Sequence, residues 1–302
     1  MVEIRVLQYF LAVAREETIS GAAESLHLSQ PTLSRQLKDL EEELGKQLMI
    51  RGSRQITLTE EGMLLRKRAQ EIIDLVQKTE SEITFSSESV TGDVFIGAGE
   101  TDSLRTVVGA AQGLRQDYPN IRFHIVSGDA ADVLEQLDKG LIDFGVLLEP
   151  VDISKYDYLQ LPARDRWGVL MRRDAPLAQK DCIAPQDLWG KPLIISRQTT
   201  GGSPLEKWMK VDMGRWNIAA TYNLLYNGSL MVDEGLGYAL CLDKLVNTTG
   251  NSNLCFRPLS PAVEIGLDIV WKKYQIFSKA AERFLHHLRH CLGADAAPRR
   301  YK

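Results

Sequence analysis

The sequence predicts a chain in three parts: an N-terminal all-α domain over residues 1–59, a long connecting helix and hinge over 60–91, and an α/β domain of two lobes over 92–302. Three observations predict it. The first part is filled by short runs with apolar residues at i, i+3, i+4 and i+7. Leu65, Ala69, Ile72, Val76, Thr79 and Ile83 then follow in steps of four, three, four, three and four, the spacing of a heptad seam. Beyond the small polar stretch Ser86–Ser87–Glu88–Ser89–Val90–Thr91–Gly92, short apolar strands alternate with helix patterns, which implies a parallel sheet covered by helices.

Leu7, Phe10, Leu11 and Ala14 form the first amphipathic face. Thr18 caps a second short helix, whose Ala22 and Ala23 let another helix come close and which ends near Leu26. His27 and Leu28 leave room for a tight turn only. Ser29 then caps a third helix with Pro31 in its first turn, where a missing N–H is harmless. Leu33, Leu37, Leu40 and Leu44 stack on one side of that helix and face a core. The opposite side carries Pro31, Arg35, Lys38 and Glu42, flanked by Thr32 and Ser34. Two helices joined by a tight turn, the second with a basic outer face, make the helix-turn-helix pattern, whose second helix enters the major groove. A plain helical hairpin with a solvated face has the same periodicity. Gln30, Thr32, Ser34, Arg35 and Lys38 are the candidate groove residues. Arg51–Gly52–Ser53–Arg54 reads as a turn and Gln55–Leu58 as a short strand, the wing of a winged helix-turn-helix, with Arg51 and Arg54 placed for phosphates or simply for a charged hairpin.

Thr59 caps the long helix, with Glu60 and Glu61 complementing its dipole. Its single seam calls for a partner, either another part of the chain or a second copy. In the α/β part, strands are expected at Asp93–Ile96, Arg122–Val126 and Asp143–Leu148 around helices at Leu104–Leu114 and Asp129–Lys139. A second lobe follows, with strands Trp167–Met171, Pro192–Ser196, Tyr222–Tyr226 and Tyr238–Leu242 and helices Leu205–Met213 and Ser229–Glu234. Glu264–Trp271 and the helix Ser278–Leu292 return to the first lobe. Ligands of open α/β sheets lie beyond the carboxyl ends of the strands, where helix N-termini point. That rule selects Gly99–Ser103, Ser127–Asp129, Leu148–Glu149, Ser196–Thr200 and Tyr226–Gly228, with Ser127 and Arg197 among the candidate contacts.

The net charge of −4 and a pI near 5.8 exclude a protein that coats nucleic acid by bulk charge, so any DNA contact is local. Cys182, Cys241, Cys255 and Cys291 are far apart with no CxxC pair, which fits a reducing compartment. No signal peptide and no apolar run of membrane length is present, so a cytoplasmic location is expected. A P-loop, a G-x-S-x-G elbow and HExxH are absent, and Gly97–Ala98–Gly99 fails the dinucleotide pattern because Asp102 stands at its third glycine. No catalytic residue and no cofactor is expected. Glu282, His286 and His290 share a face of the last helix but lack a fourth defined metal ligand, and Pro298–Lys302 reads as a frayed tail.

Phe10, Ala14, Ala22, Ala23, Leu26, Ser29, Gln30, Pro31, Ser34, Leu37, Leu40, Glu41, Leu44, Gly45, Leu48, Arg51, Thr57, Leu58, Thr59 and Gly62 together resemble the N-terminal domain of the LysR-type transcriptional regulators. The likeness is tight over about the first sixty residues and looser beyond. It departs at Met49, where the family usually has Phe, and at Thr18–Ile19–Ser20–Gly21, which replaces a Ser-Phe type entry into the second helix. The resemblance implies an N-terminal winged helix-turn-helix with a long dimerising linker helix, and a C-terminal two-lobed α/β effector domain of periplasmic-binding-protein type. It implies a non-enzymatic regulator that binds operator DNA as a homodimer or homotetramer and a small effector between its lobes. Thr101, Ser103, Ser196 and Thr199 are the effector contacts it points to. Many members of the family bind carboxylates, which Arg197 suits, but Glu100, Asp102, Asp129 and Glu149 share the mouth and leave cationic, zwitterionic and neutral effectors open. The other reading is a solute-binding module with an incidental helix-turn-helix pattern, which leaves the heptad seam without a purpose.

Overall fold

The computed structural model describes residues 2–52, 55–84, 90–199 and 203–293. The chain divides into two compact units, Met1–Ser86 and Ser87–Lys302.

In the first unit, α1 (Ile4–Glu16) ends at Glu17, which takes a left-handed conformation. Thr18 then starts α2 (Ile19–Ser25) by accepting the backbone N–H of Gly21 at 3.1 Å. A Cβ on Gly21 would sit 2.8 Å from Thr18 Oγ1, so the small residue and the cap belong together. After the left-handed His27, Ser29 Oγ accepts Thr32 N–H at 3.3 Å and opens α3 (Gln30–Leu44), which stops at the left-handed Gly45. Leu33, Leu37 and Leu40 pack with Phe10, Val13, Ala22, Ala23, Leu48 and Met49. The expected fourth leucine of that stripe, Leu44, is exposed, because the helix has by then run past the core. Met49 fills the site where the family usually has a phenylalanine and is buried.

The segment read as a turn at Arg51 is instead the end of strand β1 (Met49–Arg51), paired antiparallel to β2 (Ile56–Leu58). Glu41 stands four residues after Leu37, at the edge of the leucine stripe of α3. It turns inward, and Oε1 accepts Leu48 N–H at 2.7 Å and Met49 N–H at 3.1 Å. Thr59 caps α4 (Glu60–Thr84), with Gly62 N–H donating to its Oγ1 at 3.0 Å and its own hydroxyl donating to Gln47 O at 2.8 Å. The N-terminal part of the seam finds a partner within the chain: Leu65, Ala69 and Ile73 pack on Leu7 and Leu11 of α1. Ile73 replaces the expected Ile72 there, because steps of four keep this face turned toward α1. Leu64, Ile72, Leu75 and Ile83 lie within about 100° of arc on an adjoining face and are exposed.

In the second unit, β3 (Gly92–Ala98) leads through a short 3-10 turn to α5 (Arg105–Asp117), β4 (Ile121–Ser127), α6 (Ala130–Asp138) and β5 (Phe144–Leu148). Next comes β6 (Tyr156–Arg172), then α7 (Pro185–Leu188), β7 (Leu193–Ser196), α8 (Pro204–Met209), β8 (Ile218–Tyr222), α9 (Leu225–Asp233) and β9 (Tyr238–Leu242). Strands β10 (Leu254–Pro258) and β11 (Glu264–Lys272) and helix α10 (Lys279–Cys291) complete it. The strand order is β4-β3-β5-β11-β6-β9-β7-β8, with β10 also on β6. β3 pairs in parallel with β4 and β5, as the βαβ alternation requires.

The long β6 belongs to both lobes. Its first part pairs with β11 through Tyr156–Arg166, and its end pairs with β9 and β10. The sequence reading found only the end of this strand. Pro162 explains the miss, since proline argues against a central strand, and the register does shift beside it, between Ile265 and Leu267 of β11. The expected strand at Tyr222–Tyr226 is corrected: β8 stops at Tyr222 and α9 begins at Leu225. Lobe one closes over Val94, Ile96, Val107, Phe144, Leu267 and Phe284, and lobe two over Val169, Ile183, Leu193, Leu205, Trp208 and Leu240. No helix of the described residues is long and apolar enough to cross a membrane.

Candidate nucleic-acid interface and ligand cleft

The apolar side of α3 is buried, so its other side must face outward, and Gln30, Thr32, Arg35 and Lys38 are exposed on it. Thr32 Oγ1 lies 2.7 Å from Ser29 Oγ, which fixes the first turn, and Ser34 is half-buried beside it. The Arg35 side chain is 83% exposed and only 4.0 Å from Asp39, while Lys38 reaches Glu42 at 3.2 Å. Exposed pairs of this kind are worth well under about 1 kcal/mol, so both cations are available to an anionic partner. Arg51 ends β1, and Arg54 lies outside the described residues.

In the second unit a cavity of about 150 Å³ opens between the lobes at the carboxyl ends of β3, β4, β5 and β7. Gly99, Glu100, Gly128, Leu148 and Glu149 line it from lobe one, and Ser196, Gln198, Thr199 and Ser203 from lobe two. Trp167, Leu205, Leu225, Leu242 and Ile265 form apolar wall. The strand-end rule thus finds both rims, but not the wall, whose residues sit inside strands and helices with no local signal.

Ser196 and Thr199 are therefore at the cavity. Thr101, Ser103, Ser127 and Arg197 are not among its lining residues. Thr101 caps the 3-10 turn, and its hydroxyl donates to Asp165. Ser103 Oγ donates to the other oxygen of the same buried carboxylate at 2.5 Å. Ser127 is exposed at the end of β4. Asp165 was not anticipated from the sequence, since nothing local marks a carboxylate in the middle of β6 as a partner for hydroxyls far away in sequence.

Several bonds cross between the lobes. Arg197 Nε donates to Asp129, and its terminal nitrogen to Asp132 at 2.8 Å. Burial pushes the Asp129 carboxyl up, but the Arg197 guanidinium and the first N–H groups of α6 outweigh it and hold the group below the usual carboxylate range. Gln198 Oε1 accepts Ala130 N–H at 3.0 Å. Glu100 accepts the backbone N–H of Leu225 and so caps α9 from the opposite lobe. Lys244 Nζ lies 3.5 Å from Asp102. Asp268 faces a different situation. It is 8% exposed, its Oδ1 has no hydrogen-bond partner among the described residues, and burial, with Glu149 nearby, pushes its carboxyl up to about 6. Among the described residues no three His, Cys, Asp or Glu side chains gather as a metal site.

Residues 4–63 match the model of the bacterial regulatory helix-turn-helix protein, lysR family, and residues 87–292 that of the LysR substrate binding domain. The Hca operon transcriptional activator HcaR of Escherichia coli (strain K12) is 30% identical over 278 residues, covering 90% of this chain and 92% of HcaR. The HTH-type transcriptional regulator BsdA of Bacillus subtilis (strain 168) is 35% identical over 201 residues, 66% of this chain and 68% of BsdA. Among solved structures, the fold is similar to that of CbnR, a LysR family transcriptional regulator, with a TM-score of 0.75 at 19% identity over 96% of this chain and 99% of CbnR. Full-length CbnR complexed with its target DNA is similar as well, with a TM-score of 0.72. With a helix-turn-helix whose basic face is open, a two-lobed cleft and matches over both units, the chain belongs to the LysR family of transcriptional regulators, DNA-binding proteins with an effector-binding domain and no enzymatic role.

Proposed function

We propose that α3 is the recognition helix, that chains pair along α4 to set two such helices on one operator, and that a small molecule in the cleft modulates the regulator. Residues 1–59 bind DNA, 60–91 dimerise and 92–302 sense the effector, in the cytoplasm. The observation that carries this reading is the division of α3 into a buried leucine side and an exposed side bearing Arg35 and Lys38. Gln30, Thr32, Ser34, Arg35 and Lys38 lie at the groove, and Arg51 and Arg54 meet phosphates. The exposed Ile72, Leu75 and Ile83 of α4 support pairing, since apolar residues on one helix face are costly in water unless a second copy covers them. The pairing is two-fold, and two dimers join in a tetramer. CbnR's complex with its target DNA supports the DNA role.

In the cleft, Ser196 and Thr199 contact the effector. Thr101 and Ser103 act through Asp165, Arg197 ties the lobes together, and Ser127 stands at the rim. A ligand shifts the assembly only by binding one lobe arrangement better than another, and the bonds of Glu100, Arg197 and Gln198 across the cleft distinguish such arrangements.

Footprinting on DNA upstream of the protein's own and neighbouring genes, at controlled salt, tests the reading. Protection of half-sites about one helical turn or a multiple apart is expected. Arg35→Ala is expected to cost about 1–3 kcal/mol of operator affinity and to relax base selectivity, and Lys38→Ala to lower the salt slope by about one. Unchanged affinity and selectivity in Arg35→Ala would remove α3 from the groove.

A further inference from the structure

The charge of the cleft is one-sided. Among the described residues of its lining, Glu100 and Glu149 are the charged ones and none is basic. Two cations next to lining residues lie outside the lining themselves: Arg197 is bonded to the buried Asp129 and to Asp132, and the exposed Lys244 lies 3.5 Å from Asp102. Helix N-termini could still take an anion, yet those of α9 and α6 already hold the protein's own acceptors. Glu100 takes Leu225 N–H, while Gln198 and Asp129 take the first three N–H groups of α6. An anionic ligand at either terminus would have to displace these acceptors, and anywhere in the cleft it would lie in the field of two carboxylates.

Glu149 is also built into place. Its carboxylate lies over Gly266, where a Cβ would be 2.5 Å from Oε2, and Gln160 Nε2 donates to Oε1 at 3.2 Å. The buried Asp268 is near enough to feel its charge, and among the described residues its Oδ1 has no hydrogen-bond partner. Like charges so placed raise each other's free energy, and a positive ligand relieves them, whereas a negative one adds to the repulsion. The wall is apolar, and its Trp167 supplies an indole, the ring that attracts cations most strongly. A cavity of about 150 Å³ holds a body of roughly benzene size.

We propose that the effector is a small organic cation, an apolar body of about one ring bearing a protonated amine or quaternary ammonium, seated with its charge toward Glu100 and Glu149. The proposal rests on the reading of this cleft as the effector pocket.

Benzylamine, benzyl alcohol and benzoate share one body and differ in charge, so calorimetric titration of the full chain with each separates charge from shape. Benzylamine is expected to bind saturably and at least about 10-fold more tightly than benzoate. Glu149→Gln and Glu100→Gln are each expected to weaken benzylamine about 10-fold and to shrink its advantage over benzyl alcohol and benzoate by about that factor. Benzoate binding as tightly as benzylamine, no binding by any of the three, or a charge preference that survives in both variants would overturn the proposal. Thr199→Trp, which fills the cavity, separates this from the pocket reading. If it abolishes binding of benzoate or the alcohol where those prevail, the pocket stands and the cation falls; if benzylamine binds it undiminished, the pocket reading falls too.

Discussion

Gly62→Ala is expected to destabilise the N-terminal unit by about 2–3 kcal/mol or more, the reverse of what helix propensity gives. Alanine in place of glycine within a helix ordinarily gains about 1 kcal/mol. At Gly62, however, a Cβ would lie 2.0 Å from the backbone oxygen of Leu48 and 3.3 Å from Leu58 Cβ. That oxygen cannot simply step aside, because it accepts Thr59 N–H at 3.0 Å, and Leu48 N–H is itself held by Glu41. The wing must therefore leave α4 or α4 must lose its first turn, and operator binding should fall with the fold. All five tryptophans, at 167, 189, 208, 216 and 271, lie in the second unit. Denaturation followed by tryptophan fluorescence should accordingly be unchanged while the far-ultraviolet circular dichroism gains an earlier transition. Gly109→Ala on α5 is the control: nothing stands within 4 Å of its Cβ, and a gain of about 0.5–1 kcal/mol is expected. Equal behaviour of the two variants would refute the close approach at Leu48.

Asp268→Asn is expected to stabilise the second unit, by about 1–3 kcal/mol above pH 7, with the gain shrinking toward pH 4. Burial, then Glu149, raise the folded carboxyl to about 6 from its ordinary 3.8. The folded state thus binds this proton more tightly than the unfolded chain, so ionisation costs stability. That cost is absent below about 3.8, grows from there to about 6, and is complete above it. Asparagine keeps the shape and removes the charge, so wild type and variant should converge in acid and separate as the pH rises. Urea denaturation by tryptophan fluorescence at pH 4, 6 and 8 reads this directly. A variant less stable than wild type at pH 8 would mean that the Asp268 carboxylate has a favourable partner after all.

The N-terminal unit was legible because its signals are local. Thr18, Ser29 and Thr59 cap the helices they were expected to cap, and Leu33, Leu37 and Leu40 bury the face their spacing defines. The role of Glu41 had no such local signal, since its partners are N–H groups seven and eight residues on. In the second unit the βαβ alternation was legible for the same reason. The start of α9 was not. Tyr222, Leu224 and Tyr226 alternate like a strand, and the carboxylate that caps Leu225 comes from Glu100 in the other lobe. The cleft follows the same division. Strand ends marked Gly99, Glu100, Gly128, Glu149, Ser196 and Thr199, but the pairing of Thr101 and Ser103 with Asp165 and of Arg197 with Asp129 is long-range, and no spacing encodes it.

The position of β11 between β5 and β6 bears on how the protein is made. A ribosome delivers Phe144–Leu148 and Tyr156–Arg172 long before Glu264–Lys272, so the first lobe waits with two strand edges open until the partner that separates them arrives. Lobe two needs nothing later than β10 to finish its sheet. The lobe that starts first in the sequence is therefore completed last during synthesis, and Phe284 and Leu288 of α10 seal it only when nearly the whole chain has emerged.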